Sequence, residues 1–302
     1  MTDTLDDEPF AGVYPATTTP FHEDGSIDFE TLHADVRRLE SAGVDGIVPC
    51  GSTGESATLS HDEHIEVVEA TVEAVEDVPV IAGAGSNATH EAVSLSARSE
   101  AAGADALLHI SPYYNKPEPA GMEGHYRRVA DAVDIPIIVY NVPGRTGRDI
   151  DVETAVALAE HPNITGYKAA SGDVGKISEV IERTREQEFS VLAGDDGMTL
   201  PILAAGGVGA ISVAANVRPG MMADLARSAL SGDGERAREI HHRLGPLFRE
   251  LFVESNPIPV KEAMAIEFDH PPHVRSPLTR LAPGRRDELA DVLDALPRGV
   301  PA

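Results

Sequence analysis

Residues 136–168 read PIIVYNVPGRTGRDIDVETAVALAEHPNITGYK, and their pattern decides the fold. The segment opens on a short apolar run, Pro136–Tyr140, and closes on another, Ile164–Lys168. Neither run alternates with polar residues. A strand with one wet face alternates, whereas a strand covered on both faces does not, and such strands belong to parallel sheets. Between the runs, Val152–Glu160 has helical period, and Asp151-x-x-Thr154 offers a cap at its start. Strand, helix and strand in about 30 residues make one crossover unit of an α/β protein.

The unit recurs along the chain. Further apolar runs are Val13–Thr17, Gly46–Cys50, Val80–Ala84, Ala106–Ile110, Ser190–Ala193 and Gly209–Val213, which brings the number to eight. Stretches of helical period separate them: Phe29–Ala42, Asp62–Val75, His90–Ala102, Met122–Val133, Ile177–Gln187 and Met198–Ala205. Ser60-x-x-Glu63 is a capping box, Asp28 is a further cap, and Gly43 and Gly103 read as stops. Eight alternations predict a (βα)8 TIM barrel rather than an open doubly wound sheet. Three more helical stretches follow: Met221–Ser231, Glu235–Phe252 and, past a proline-rich link, Asp287–Leu296. The expected division is a catalytic barrel over residues 1–220 and a C-terminal helical extension over 221–302.

Composition narrows the function. The 302 residues carry 50 Asp and Glu against 24 Lys and Arg, a net charge of −26. The acidic residues are spread along the chain, so they form a skin and not a tail. Such a surface repels itself at low salt and stays soluble at high salt, which suits a salty cytoplasm. It makes nucleic acid and anionic membranes unsuitable partners. A single cysteine, Cys50, excludes an internal disulfide and reads as a small buried hydrophobe. Residues 197–217 carry no further charge, but Pro201, the glycines at 206, 207 and 209, and Asn216 favour a short helix, a turn and a buried strand over a membrane span. The N-terminus has no signal-peptide pattern, so the expected location is cytoplasmic.

Active sites of this fold lie at the carboxyl ends of the strands, which selects the polar residues to weigh. The second run ends in GSTGES at 51–56, where Gly51 and Gly54 let backbone N–H groups face an anion. A plain tight turn is the other reading. The fourth leads into SPYYNKP at 111–117, a stiff aromatic loop suited to a site or to an interface. The fifth ends at Tyr140, with Arg145 five residues on, either a carboxylate clamp or half of an ion pair. The sixth ends in Lys168, one of only four lysines. Inside a barrel a lysine needs a partner or a task; desolvation lowers its pKa and frees the amine as a nucleophile. A structural ion pair is the alternative. Lys116, Lys176 and Lys261 look ordinary. No metal is expected: His61 and His64 lack an H-E-x-x-H frame, and Asp195-Asp196 reads as a helix cap. Gly83-Ala84-Gly85 is not a dinucleotide fingerprint, so no cofactor is expected.

Taken together, GSTGES, SPYYNKP, YNVPGRTG (140–147), YKAASGD (167–173), LAGDDG (192–197) and NPIPVKEA (256–263) resemble the dihydrodipicolinate synthase / N-acetylneuraminate lyase family of class I aldolases. The likeness runs from Gly12 to Leu278 and is nearer to the synthase branch, which carries an arginine where Arg145 stands. The resemblance implies a Schiff base between Lys168 and pyruvate, with the carboxylate held at Gly51, Ser52 and Thr53 and the pocket completed by Ile211. Tyr140, Ser52 and Tyr114 would relay protons, with Tyr114 supplied by a neighbouring subunit of a homotetramer built as a dimer of dimers. Arg145 would hold the acceptor, aspartate semialdehyde. Ser52 stands where synthases more often have threonine, and Ala169 where many have glutamate. A keto-deoxy sugar acid aldolase or neuraminate lyase is the alternative activity, and a non-catalytic ligand-binding barrel the third. The resemblance also implies feedback inhibition by L-lysine at Ser56, Ala57, His61, His64, Asn87, Glu91 and Tyr113. Read without it, His61 and His64 are surface residues of a helix's first turn.

Overall fold

The computed structural model describes residues 9–297. Its strands are β1 (Gly12–Pro15), β2 (Ile81–Gly83), β3 (Ala106–Ile110), β4 (Ile137–Asn141), β5 (Ile164–Ala169), β6 (Ser190–Ala193) and β7 (Gly209–Ser212). They form one curled sheet in the order β1-β7-β6-β5-β4-β3-β2, parallel throughout. Between the two edge strands lies segment 46–50. Val48 bridges Ala16 after β1, and Ile47 bridges Val80 before β2, both parallel. The segment was expected to be a full strand. Pro49 has no N–H to give a ladder, and Cys50 turns to φ +57, so the pairing stops at one bridge on each side.

The absence of alternation has a direct cause. Leu107, Ile137, Val139, Tyr167 and Val191 point outward into the core between sheet and helices. Their neighbours Ala106, Leu108, Ile138, Tyr140, Leu192 and Ile211 point inward to a second cluster enclosed by the sheet. Both faces are dry, so both take apolar side chains.

The helices that cover the sheet are α1 (Phe29–Ser41), α2 (His61–Ala74), α3 (Thr89–Ala101), α4 (Pro119–Ala130), the single turn α5 (Pro143–Thr146), α6 (Val152–Ala159), α7 (Val174–Thr184) and α8 (Thr199–Ala204). The expected caps are present. Asp28 accepts from Thr31 N, Asp151 from Thr154 N, and Ser60 and Glu63 close a capping box. Gly43 and Gly103 take φ +79 and +95 just past α1 and α3, where a side chain would strain. The uncharged stretch folds as expected into α8, a turn and β7, and no helix among the described residues is long and apolar enough to cross a membrane.

Four helices follow: α9 (Pro219–Leu230), α10 (Gly234–Glu250), α11 (Ile258–Phe268) and α12 (Pro283–Asp294). Their apolar faces share one cluster with Val13, Leu203 and Val213 of the sheet region. The proline-rich link read from sequence contains α11. Pro257 caps it and Pro259 sits in its first turn, where a missing N–H costs nothing. Residues 258–264 are all buried, so no amphipathic period betrays the helix.

Candidate active site

Lys168 stands near the end of β5, in register with Tyr140 on β4. Its Nζ lies 4.2 Å from the centroid of the Tyr140 ring, an amine stacked on a phenol face. The residue is 6% exposed and, among the described residues, forms no ion pair. Lys176 and Lys261 by contrast pair with Asp149 and Glu55. Burial pushes the Lys168 amine down to about 7; the charge of Asp196 works against this and that of Arg145 with it. Burial raises the Tyr140 phenol to about 12, opposed by Arg145 and helped by Asp195. Near neutral pH the site therefore holds a substantially neutral amine beside a protonated phenol.

Room for that amine comes from Gly194, directly after β6. A Cβ there would sit 2.9 Å from Lys168 Cγ and 3.0 Å from Cε. Asp196 is buried and ties the ends of β6 and β7 together, its Oδ2 accepting from Val213 N (3.1 Å) and Ala214 N (2.8 Å). Asp195 caps the short turn 196–198 by accepting from Gly197 N, the capping role that the sequence suggested. Among the described residues no three His, Cys, Asp or Glu side chains are grouped to hold a metal ion.

The turn after Cys50 brings Ser52 and Thr53 to the same end of the sheet. Among the described residues no acceptor takes their backbone N–H groups. Gly54 is the tight glycine of this turn, since a Cβ would meet Cys50 N at 3.0 Å; a Cβ on Gly51 would meet nothing within 4 Å. Thr53 is buried, and its hydroxyl accepts from Asn256 Nδ2 at 2.9 Å. Arg145, on the turn α5, donates from Nη2 to Asn256 O at 2.9 Å and has no carboxylate partner among the described residues.

A cavity of about 480 Å³ opens beside these groups. Gly51, Ser52, Tyr140, Arg145 and Asn256 line it, together with six of the seven expected regulatory positions. Asn87 lies outside that lining, as do Lys168, Thr53, Ile211 and Tyr114. Ile211 is buried in the enclosed cluster with Tyr140. Tyr114 is 87% exposed at φ +69. The surface reading of the two histidines holds for His61 only. His64 is buried, with Nε2 2.6 Å from Gly83 O.

Three residues that matter here were passed over in the sequence. Gly194 and Asn256 sit inside the quoted motifs without a role, and nothing local marks either. Lys261 looked ordinary, yet it is fully buried with its Nζ 2.5 Å from Glu55 Oε1. The scarcity of lysine was the signal available.

A desolvated lysine in register with a buried phenol, at the carboxyl ends of a parallel sheet, is the arrangement expected of a class I lyase, a class that acts through an amine nucleophile. The sequence pattern of the Dihydrodipicolinate synthetase family matches residues 9–296, and the chain belongs to that family. A 4-hydroxy-tetrahydrodipicolinate synthase of Haloarcula marismortui is 67% identical over 287 residues, covering 95% of this chain and 94% of its own. One of Natronomonas pharaonis is 63% identical, covering 96% and 99%. Among solved structures, dihydrodipicolinate synthase from Aquifex aeolicus superposes with a TM-score of 0.92 at 46% identity, covering 94% of this chain and 97% of its own. That from Acinetobacter baumannii, complexed with pyruvate, gives 0.92 at 40%, covering 94% and 98%.

Proposed function

We propose that the protein condenses pyruvate with L-aspartate 4-semialdehyde to 4-hydroxy-tetrahydrodipicolinate, the entry to diaminopimelate and lysine biosynthesis. The observation that carries this is the unpaired, desolvated Lys168 amine against the Tyr140 ring. Its near relatives bear the same name at 67% and 63% identity over almost their whole lengths.

The neutral Lys168 amine adds to the keto carbon, and the carbonyl oxygen leaves as water to give an imine. Ser52 and Thr53 N–H groups hold the pyruvate carboxylate, with Gly51 and Ile211 completing the pocket. Loss of a methyl proton gives the enamine, whose carbon attacks the aldehyde of the semialdehyde. Tyr140 passes protons through the Ser52 hydroxyl to Tyr114, which a neighbouring subunit supplies. Its 87% exposure on this chain suits that task. Arg145, free of carboxylates, binds the acceptor's carboxylate. General acid–base help of this kind contributes about 10²–10⁴ in rate. The covalent lysine serves as electron sink, so the chemistry calls for no other cofactor.

The architecture that goes with this reading is a (βα)8 barrel, segment 46–50 acting as the eighth stave between β1 and β2. We read residues 1–220 as the catalytic barrel and 221–302 as the helical extension, of which 1–8 and 298–302 lie outside the described residues. We read the assembly as a homotetramer, a dimer of dimers, in a salt-rich cytoplasm matched by the acidic surface. L-lysine is its feedback inhibitor, received where Ser56, His61, Glu91 and Tyr113 face the shared cavity.

Borohydride reduction in the presence of pyruvate, followed by peptide mapping, tests the core of the proposal. The expected adduct is on the peptide that holds Lys168, discharged by aspartate semialdehyde and absent in Lys168→Met. An unmodified Lys168 peptide refutes it.

A further inference from the structure

Asn256 belongs to the loop before α11, 203 residues from Thr53 in sequence, and is only 6% exposed. Its side-chain amide donates to Thr53 Oγ1, and its backbone carbonyl accepts from Arg145, each at 2.9 Å. One buried residue thus touches both groups assigned above to substrate carboxylates. An amide nitrogen can only donate. Thr53 Oγ1 is therefore the acceptor in that bond, and its own proton is left to point elsewhere. Among the described residues no acceptor takes it. In this orientation one N–H of the amide is bonded to Thr53 and Oδ1 has no partner among the described residues.

We infer that Asn256 is a positioning residue that fixes Thr53 as a hydroxyl donor toward the pyruvate carboxylate, while its carbonyl holds Arg145 for the second substrate. This rests on the assignment of Thr53 to pyruvate made above. The consequence is a separation of effects. Arg145 is bound by the backbone of residue 256, so a side-chain substitution there disturbs the pyruvate side alone. Asn256→Asp replaces the donor by an acceptor of nearly the same shape. The Thr53 proton then turns to the new carboxylate and away from substrate. Asn256→Ala merely frees the hydroxyl to rotate.

Steady-state kinetics for each substrate, with thermal unfolding, are measured on Thr53→Val, Asn256→Asp, Asn256→Ala and the pair Thr53→Val/Asn256→Asp. Asn256→Asp is expected to raise KM for pyruvate about 10–100-fold, the worth of a hydrogen bond to a charged group. KM for the semialdehyde and kcat change little, and Asn256→Ala has the smaller effect. In the Thr53→Val background Asn256→Asp should add much less, because the hydroxyl it acts through is gone. A Thr53→Val enzyme with unchanged pyruvate KM overturns the hydroxyl role and this inference with it, and leaves the backbone N–H assignment of Thr53 standing. If Thr53→Val is impaired while Asn256→Asp is normal, or if Asn256→Asp changes both substrates and kcat alike, the inference alone falls. Should Asn256→Asp fail to fold, Asn256→Ala in both backgrounds gives the same cycle. Additive effects there overturn the inference.

Discussion

At the scale of single residues, the setting of Lys168 is defined by what its neighbours leave out. Burial supplies the shift to about 7, and no carboxylate pairs with the amine to hold its proton. Gly194 leaves out a side chain altogether. A Cβ there would meet Lys168 Cγ at 2.9 Å, Lys168 Cε at 3.0 Å and Ala170 Cβ at 3.1 Å, so both the lysine stem and a neighbouring side chain would have to shift. Gly194→Ala should therefore displace the amine from the Tyr140 face. A misplacement of about 1 Å costs on the order of 10²-fold in rate. The expected result is a loss of kcat of that order, with slower adduct formation in borohydride trapping and a fold intact by circular dichroism. A fully active alanine variant would show that the lysine stem has slack.

Among elements, the C-terminal segment holds the active-site turn at a second point besides Asn256. Glu55 sits in the turn at φ +54 and is buried. Its Oε1 accepts from Lys261 Nζ on α11, and its Oε2 from Arg275 N at 3.0 Å. Lys261 also donates to His273 O, and Arg275 reaches Glu63 with two bonds of 2.6 and 3.0 Å. The centroid of the Phe21 ring lies 4.2 Å from Lys261 Nζ and 4.4 Å from Arg275 Cζ. Burial lowers the Lys261 amine to about 8, against the pull of Glu55. Removing one partner of such a pair strands the other charge. Lys261→Met should cost about 3–5 kcal/mol in chemical denaturation, and Lys261→Met/Glu55→Gln should recover much of it. If the double variant is no more stable than the single, the cost comes from packing and not from charge.

For the molecule as a whole, three buried histidines set the response to acid. His64, His109 and His125 are held neutral by burial, at about 4, 3 and 4. Their bonds to Gly83 O, Ser96 and Thr89 suit neutral rings. Unfolded histidine titrates near 6.5. Below that pH the unfolded chain takes up protons that the folded chain refuses, so stability falls with pH until the folded values are reached. Each such proton contributes up to about 1.4 kcal/mol per pH unit. Asp196, raised to about 6 by burial, and Asp45, also raised by burial, oppose them, while His241, lowered by burial, acts with them. The urea midpoint should drop between pH 6.5 and 5, before ordinary carboxylates titrate, and drop less in His109→Gln. A flat profile in that window would contradict the neutral assignments.

The sequence by itself determined the succession of strands and helices in outline, the helix caps and a lysine at a strand end as the candidate nucleophile. These depend on local facts: runs dry on both faces, Ser60 and Asp151 beside helix starts, and a lysine where the chain had nearly abolished them. It also carried the family, because the motifs around Ser52, Tyr140 and Lys168 are contiguous in the chain. Segment 46–50 pairs through single bridges rather than a full ladder, and α11 lies within a stretch that reads as a link, for the same kind of reason. Apolar composition alone does not register a proline that halts a ladder, or a helix buried on every side. Only the tertiary structure decided that Asn256 meets Thr53, that Lys261 neutralises Glu55, and that Gly194 makes space for Lys168. Those contacts join residues far apart in the chain, and their energies come from desolvation and steric exclusion, which exist only once the chain has closed on itself.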